Sequence, residues 1–271
     1  MSLAFAVTRR EIREVLRDFN LLMPMIALPA LIALIAAMAI VGSSRGPANF
    51  LGQAVGGALL DQVPESQLRV LVYLDVHDQD TMIRVILKAL MIPLFWVTPV
   101  ALTSTIAADS FVGEKERNTL EPLLATPISD VQLFVAKLCT AVVPAVVGTW
   151  VGMALFGVLV MGGSGVYFPK YVFADPDWLF SALVVVPLMA LLAAAIAALI
   201  STRVATYRSA YQLNGLVALP IILLLVPQTV VLFLFTPRAL QFIALFFLLV
   251  DAGLVWLGMQ IFDRERLLRG R

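Results

Sequence analysis

This chain of 271 residues is poor in charge. Asp, Glu, Lys and Arg together make up 14% of it, where a soluble globular domain carries about a quarter. Cysteine is nearly absent: Cys139 is the single one and falls inside an apolar run, so no disulfide can form within the chain. Cysteine usage therefore says nothing about the redox compartment. Histidine occurs once, as His77, which leaves hydrolase and metalloprotease schemes poorly supported. The chain also has no Gly-Lys pair, so the phosphate-cradling Gly-x-x-x-x-Gly-Lys-Ser/Thr loop is missing from it.

Apolar residues are plentiful, at 61% of the chain with a mean hydropathy of +0.96. Several uninterrupted apolar runs exceed the length needed to cross about 30 Å of hydrocarbon. The chain reads as an all-α, polytopic membrane protein with six transmembrane helices. They are expected at Leu21–Val41, Ile83–Ala108, Leu133–Met161, Leu179–Ile200, Leu213–Phe235 and Ala239–Phe262. The first run is too long for the roughly 7–15 residues of a signal-peptide core, although Ala37-Met38-Ala39 imitates a cleavage site. The whole of 1–271 forms one transmembrane domain, with an N-terminal segment 1–20, an extracytoplasmic loop 42–82 and a cytoplasmic connector 110–130.

Orientation follows from the placement of basic residues rather than from the net charge of +1. With a cytoplasmic N-terminus, only Arg45, Arg69, Arg84, Lys88, Lys170 and Arg238 of the 19 Lys and Arg fall outside. Positive charge resists translocation, so both termini are expected in the cytoplasm. Before the first span, Ile12, Val15, Leu16 and Phe19 recur at i, i+3, i+4 and i+7, with Arg9, Arg10, Arg13 and Arg17 on the other side. That pattern predicts an amphipathic helix lying in the membrane interface, arginines toward anionic headgroups.

Prolines stand inside the spans at Pro24, Pro29, Pro93, Pro99, Pro144, Pro187, Pro220 and Pro227. Each removes a backbone donor, and neighbouring helices must satisfy the freed carbonyls, which implies a packed bundle. The "GTWVG" stretch, Gly148 to Gly152, is read as a site of close helix approach. In the outer loop, "DVHDQD" offers Asp75, His77, Asp78 and Asp80, but their spacing matches no recognised metal site, and no metal site is assigned. Asp251 lies near the middle of the sixth span. A carboxylate at that depth faces the bundle interior, a cavity or a partner, and so is a candidate for the translocation path.

The densest charge of the chain sits between spans two and three, in "GEKERNTLEPLLATPIS". Glu114, Lys115, Glu116 and Arg117 form a charged turn. Asn118 tolerates left-handed backbone geometry, and Thr119 can cap a following helix with Pro122 in its first turn. Leu120, Leu123 and Leu124 then share one side, giving a short amphipathic cytoplasmic helix.

That connector closely resembles the one found in permease subunits of ABC transporters of the type-2 export class. The matching positions are Glu114, Glu116, Asn118, Thr119, Leu120, Glu121, Leu123, Leu124, Thr126, Pro127, Ser129 and the lysine that opens the next span, Lys137. Glycine is commoner in the family where this chain has Asn118. "YRSAYQLNGLVALP" before span five and "FDRERLL" after span six fit the same family. The resemblance implies a permease that forms one half of a membrane dimer, homo- or heteromeric, in a prokaryotic cell membrane. It implies that residues 114–127 form a coupling helix docked on a separate ATPase subunit, which binds ATP and Mg and drives export. This chain would then be no enzyme and bind no cofactor or nucleic acid. The alternative is a stand-alone ion channel or secondary transporter using Asp251, for which the inverted repeat such proteins usually show is not apparent.

Overall fold

In a lipid environment a spanning segment has to satisfy every backbone N–H and C=O within itself, which leaves the helix as the solution for runs like these. The computed structural model describes residues 3–15, 17–19, 23, 26–35, 92–113, 129–164, 176–204, 206, 208–210, 212–213 and 238–261. Among them there is no strand. Six helices organise the description: α1 Leu3–Val15, α2 Ile26–Ile35, α3 Ile92–Gly113, α4 Asp130–Ser164, α5 Pro176–Ser201 and α6 Ala239–Ile261.

Four of these, α3 to α6, are long and apolar enough to cross a membrane. They correspond to the expected spans two, three, four and six. Of the first expected span the description covers Met23 and the ten-residue apolar helix α2. The fifth, apart from Leu213, lies outside the described residues, as do the 42–82 loop, "DVHDQD" and the beginning of span two before Ile92. Span two was expected to end at Ala108. Instead α3 continues through Asp109–Gly113 as a π-helical turn in which Ser110, Phe111, Val112 and Gly113 are buried. Phe111 and Val112 carry the apolar run past Asp109 into the core, so that single carboxylate does not end the helix.

Contacts fix the directions of the helices. Near the starts of α3 and α5, Trp96 Nε1 donates to Ser181 Oγ at 2.8 Å. Around that bond Phe95, Phe156 and Trp178 pack with ring centroids 5.4–5.7 Å apart. Phe156 is late in α4, so α3 and α5 begin where α4 ends. Such ring pairs contribute about 0.5–1.5 kcal/mol each beyond their area. At the opposite end, Lys137 early in α4 bonds Ser110 late in α3. Helix α6 places Leu240, Ile243 and Phe247 in the aromatic-end core, while Gly258 meets the Phe134 ring at the other end. Hence α6 runs parallel to α5.

Packing relies on small residues. Buried Ala190, Ala193, Ala194, Ala197 and Ala198 line α5, which contacts α3, α4 and α6. Without a water-driven force between helices in lipid, such close backbone approach supplies much of the attraction. Gly152 of α4 lies against Pro29 of α2 so closely that a methyl group there would overlap it, as the reading of "GTWVG" expects. The outward faces are apolar instead: Val143, Val147, Val151 and Val158 on α4, and Phe242, Leu245, Leu249 and Trp256 on α6, are exposed.

Pro187 illustrates how a freed carbonyl is recovered. It follows a π turn, Ser181–Val185, in which Val186 N–H donates to the Ser181 carbonyl five residues back. In that register the Ala182 carbonyl would receive its bond from the N–H of residue 187, which proline lacks. Trp150 of α4 supplies the missing donor, its Nε1 reaching the Ala182 oxygen at 2.8 Å.

Helix α1 departs from the expected amphipathic arrangement. Its arginines Arg9, Arg10, Arg13 and the following Arg17 are exposed as anticipated. The inward face, however, carries Glu11 and Val15, both buried, with Thr8 and Ile12 half-buried, while Phe19 is 70% exposed. The helix packs on α4, and its orientation is set by polar contacts with the bundle as well as by apolar periodicity.

Candidate functional site

The charged connector has two roots, and both are built with polar contacts that begin in ordinary helix-end chemistry. At the exit root, Ser129 opens α4. Gln132 N–H donates to Ser129 Oγ at 3.2 Å, and Ser129 N–H donates back to Gln132 Oε1 at 3.3 Å. This reciprocal capping box satisfies two otherwise orphaned donors and makes the start of α4 abrupt. Asp130 in the first turn complements the positive end of the helix dipole. Ser129 was among the residues carrying the family resemblance, and its cap gives it a physical role.

At the entry root, the π turn of α3 brings the Ser110 carbonyl within reach of Lys137 Nζ. Lys137 lies two turns into α4, about 10 Å along the axis from Asp130 at 1.5 Å per residue. Its side chain is 1% exposed. An ammonium in such a place needs its donors occupied and its charge balanced. Nζ donates to the Ser110 carbonyl and, at 3.5 Å, to Ser110 Oγ. Glu11 Oε1 of α1 lies 3.9 Å away, and the Phe111 ring centroid is 5.8 Å from the charge. Ser110 Oγ in turn donates to Glu11 Oε2 at 3.3 Å. A further bond ties α1 to α4, from Thr8 Oγ1 to the Ala136 carbonyl at 3.4 Å. One carboxylate, one ammonium and one hydroxyl thus join three chain segments, α1, the end of α3 and the early part of α4, beside the two points that bound the connector.

The residues between these roots that the sequence singled out, Glu114, Lys115, Glu116, Arg117, Asn118, Thr119, Leu120, Glu121, Leu123, Leu124, Thr126 and Pro127, lie outside the described residues. Glu11 and Ser110 went unnoticed in the sequence. A signal for Glu11 existed: Lys137 stands in the apolar run "LFVAKLC" and requires an anion from elsewhere, and Glu11 falls four residues before Val15, on the same helix face.

Asp251 occupies a different region, half-way along α6. It is 1% exposed, and neither carboxylate oxygen has a hydrogen-bond partner among the described residues. Thr98 and Thr103 of α3 likewise keep buried hydroxyls without a partner there. Other hydroxyls in the bundle fold back onto their own helix: Thr105 onto Ala101, Thr140 onto Ala136, Thr149 onto Ala145. Such back-bonding is the usual solution for a hydroxyl in lipid, so the three orphaned side chains stand apart. Among the described residues, no three His, Cys, Asp or Glu side chains come together as a metal site would require.

A comparison with curated proteins returns no match. A family model described as ABC-2 family transporter protein matches residues 63–252, a stretch that takes in α3, α4, α5, the charged connector and Asp251. The chain therefore belongs to the ABC-2 family of transporter membrane proteins.

Proposed function

We propose that the chain is the permease subunit of an ATP-binding cassette exporter, and that residues 114–127 are the lever through which a separate ATPase subunit moves the membrane helices. The family match over 63–252 is the observation that carries this reading. In it, ATP and Mg bind the partner subunit, which agrees with the missing Gly-Lys loop here. Two permeases, identical or paralogous, complete the membrane unit in the cell membrane of a prokaryote. Both termini face the cytoplasm, with α1 in the interface, where its exposed Arg9 and Arg13 and the following Arg17 suit anionic headgroups. A six-span count is supported by the parallel run of α5 and α6, since a chain leaving α5 at Ser201 has to regain the aromatic end before Ala239.

The fixed roots of the connector support a mechanical role. A lever transmits force only if its attachment is stiffer than its load, and the capping box with the buried Lys137 contacts provides such an attachment. Asp251 belongs to the translocation path in this reading, because a buried carboxylate with no hydrogen-bond partner among the described residues is costly to keep at that depth. The same residue would serve the stand-alone channel or secondary transporter, but membership of a transporter family whose members are membrane components favours the permease.

The discriminating experiment is co-purification followed by charge reversal. The wild-type chain is expected to bring down a nucleotide-binding ATPase. Reversing Glu114, Glu116 and Glu121 together is expected to remove that association or uncouple it. Undiminished association and hydrolysis in the triple variant, or no ATPase with the wild type, overturns the docking role.

A further inference from the structure

The contacts around Lys137 do more than fix the connector's roots to each other, because one of the three participants comes from the other end of the sequence. We infer that Glu11 and Lys137 act as a latch that holds helix α1 rigidly on both roots of the connector, so that α1 moves as part of the lever. The inference rests on the coupling role proposed for the connector.

The geometry supports it in three ways. Glu11 is 7% exposed and engages both roots, Ser110 Oγ through Oε2 at 3.3 Å and Lys137 Nζ through Oε1 at 3.9 Å. The neighbouring Thr8 bond to the Ala136 carbonyl and burial of Val15 in the cluster that also holds Leu133, Phe134 and Phe111 oppose rotation about that one pair. Meanwhile the outer side of α1 keeps its own charges in solvent, where Arg10 Nε pairs with Glu14 Oε1 at 3.0 Å. A buried ion pair is a poor source of net stability but a good one of register, since only one placement of the helix satisfies both charges. The amphipathic helix is then a moving part, and a displacement of the connector drags it through the interface.

Glu11 and Lys137 are positioning residues in this scheme, and the readout has to separate position from folding. Spin labels are placed at the exposed positions Arg13 and Val131 in a Cys139→Ser chain, in vesicles of phosphatidylethanolamine and phosphatidylglycerol, with the co-purified ATPase. The distance distribution between them is measured without nucleotide and with ATP plus vanadate. The latch predicts one narrow distance, the same in both states. Lys137→Met and Glu11→Gln broaden it, and Lys137→Arg keeps it narrow. With ATPase still bound, hydrolysis falls about fivefold or more in the first two variants and recovers with Lys137→Arg. Glu11→Gln retains an oxygen for the Ser110 hydroxyl, which guards against a merely misfolded chain. A distribution that stays narrow in both disrupted variants overturns the latch. Broadening with unchanged hydrolysis overturns the part assigned to α1 in transmission. If no ATPase accompanies the wild-type chain, the coupling role fails and transmission with it, while the label distances still decide the latch.

Discussion

Replacing Trp150 by phenylalanine removes a single indole N–H while keeping an aromatic ring. The structure predicts that this matters because of a proline on another helix. Trp150 donates to the Ala182 carbonyl at 2.8 Å, and the π turn at Ser181–Val185 leaves that carbonyl facing Pro187 for its backbone donor. A hydrogen bond between membrane helices contributes on average about 0.6 kcal/mol and at most about 1.7. Leaving a carbonyl unmet where water cannot replace the donor costs about 1–3 kcal/mol. Trp150→Phe is therefore expected to destabilise the bundle by ~1–2 kcal/mol, roughly a tenfold change in the unfolding equilibrium. In a Pro187→Ala background residue 187 regains its N–H, so the same change should cost under about 0.6 kcal/mol, leaving a coupling of order 1 kcal/mol between sites on α4 and α5. The assay is equilibrium unfolding in mixed detergent and dodecyl sulfate micelles, followed by circular dichroism so that losing a tryptophan does not alter the probe. Equal penalties in the two backgrounds would show that the indole does not fill the gap left by the proline.

Three further outcomes are expected. Gly152→Ala should push α2 from α4 at Pro29 and destabilise by about 1–3 kcal/mol, the usual range for overpacking, measured by the same unfolding titration. Gly253→Ala, where added volume meets nothing within 4 Å among the described residues, should leave it nearly unchanged. Asp251→Asn and Asp251→Leu should hold or raise stability, since they remove a buried carboxylate that has no hydrogen-bond partner among the described residues, yet lower ATP hydrolysis by the co-purified complex. Loss of stability without loss of hydrolysis would remove Asp251 from the translocation path.

How far the sequence could be read depended on whether the relevant interaction was local. The spans now seen as α3 to α6 were legible because their apolar runs are long enough to cross a bilayer. Their ends were less so. Span two was expected to end at Ala108, but Phe111 and Val112 are buried in one cluster with Leu133 and Phe134, residues that sequence proximity does not reveal. Helix α1 shows the same limit. Its periodicity marked Ile12, Val15, Leu16 and Phe19, whereas Glu11 turned out to be buried and Phe19 exposed. A carboxylate with an ammonium on another helix counts as interior, and hydrophobic patterns cannot register that. Asp251 was legible in place, since a lone charge in an apolar run is conspicuous, but its lack of a hydrogen-bond partner among the described residues was not. The family, by contrast, was carried by the short run from Glu114 to Lys137, where spacing alone is distinctive.

The pair Glu11 and Lys137 also allows stability and register to be told apart by substitution. Apolar residues of matching volume in place of a buried ion pair are often neutral, or stabilising by about 1–4 kcal/mol, whereas removing one partner costs about 3–5 kcal/mol because the other charge stays behind. Lys137 has a 1% exposed side chain and Glu11 a 9% exposed one, so neither leftover charge can turn to water without moving α1. Lys137→Met alone is thus expected to cost about 3 kcal/mol, the lower end of that range, because Ser110 Oγ still donates to Glu11. Adding Glu11→Leu should return most of the loss in the detergent titration, since the two introduced apolar side chains would lie beside Val15 and Phe111 in an apolar setting. A double variant as unstable as the single one would mean that the carboxylate holds the bundle together in its own right. Full recovery would mean that this end of the molecule folds without the charges, and that their contribution lies in where they keep α1.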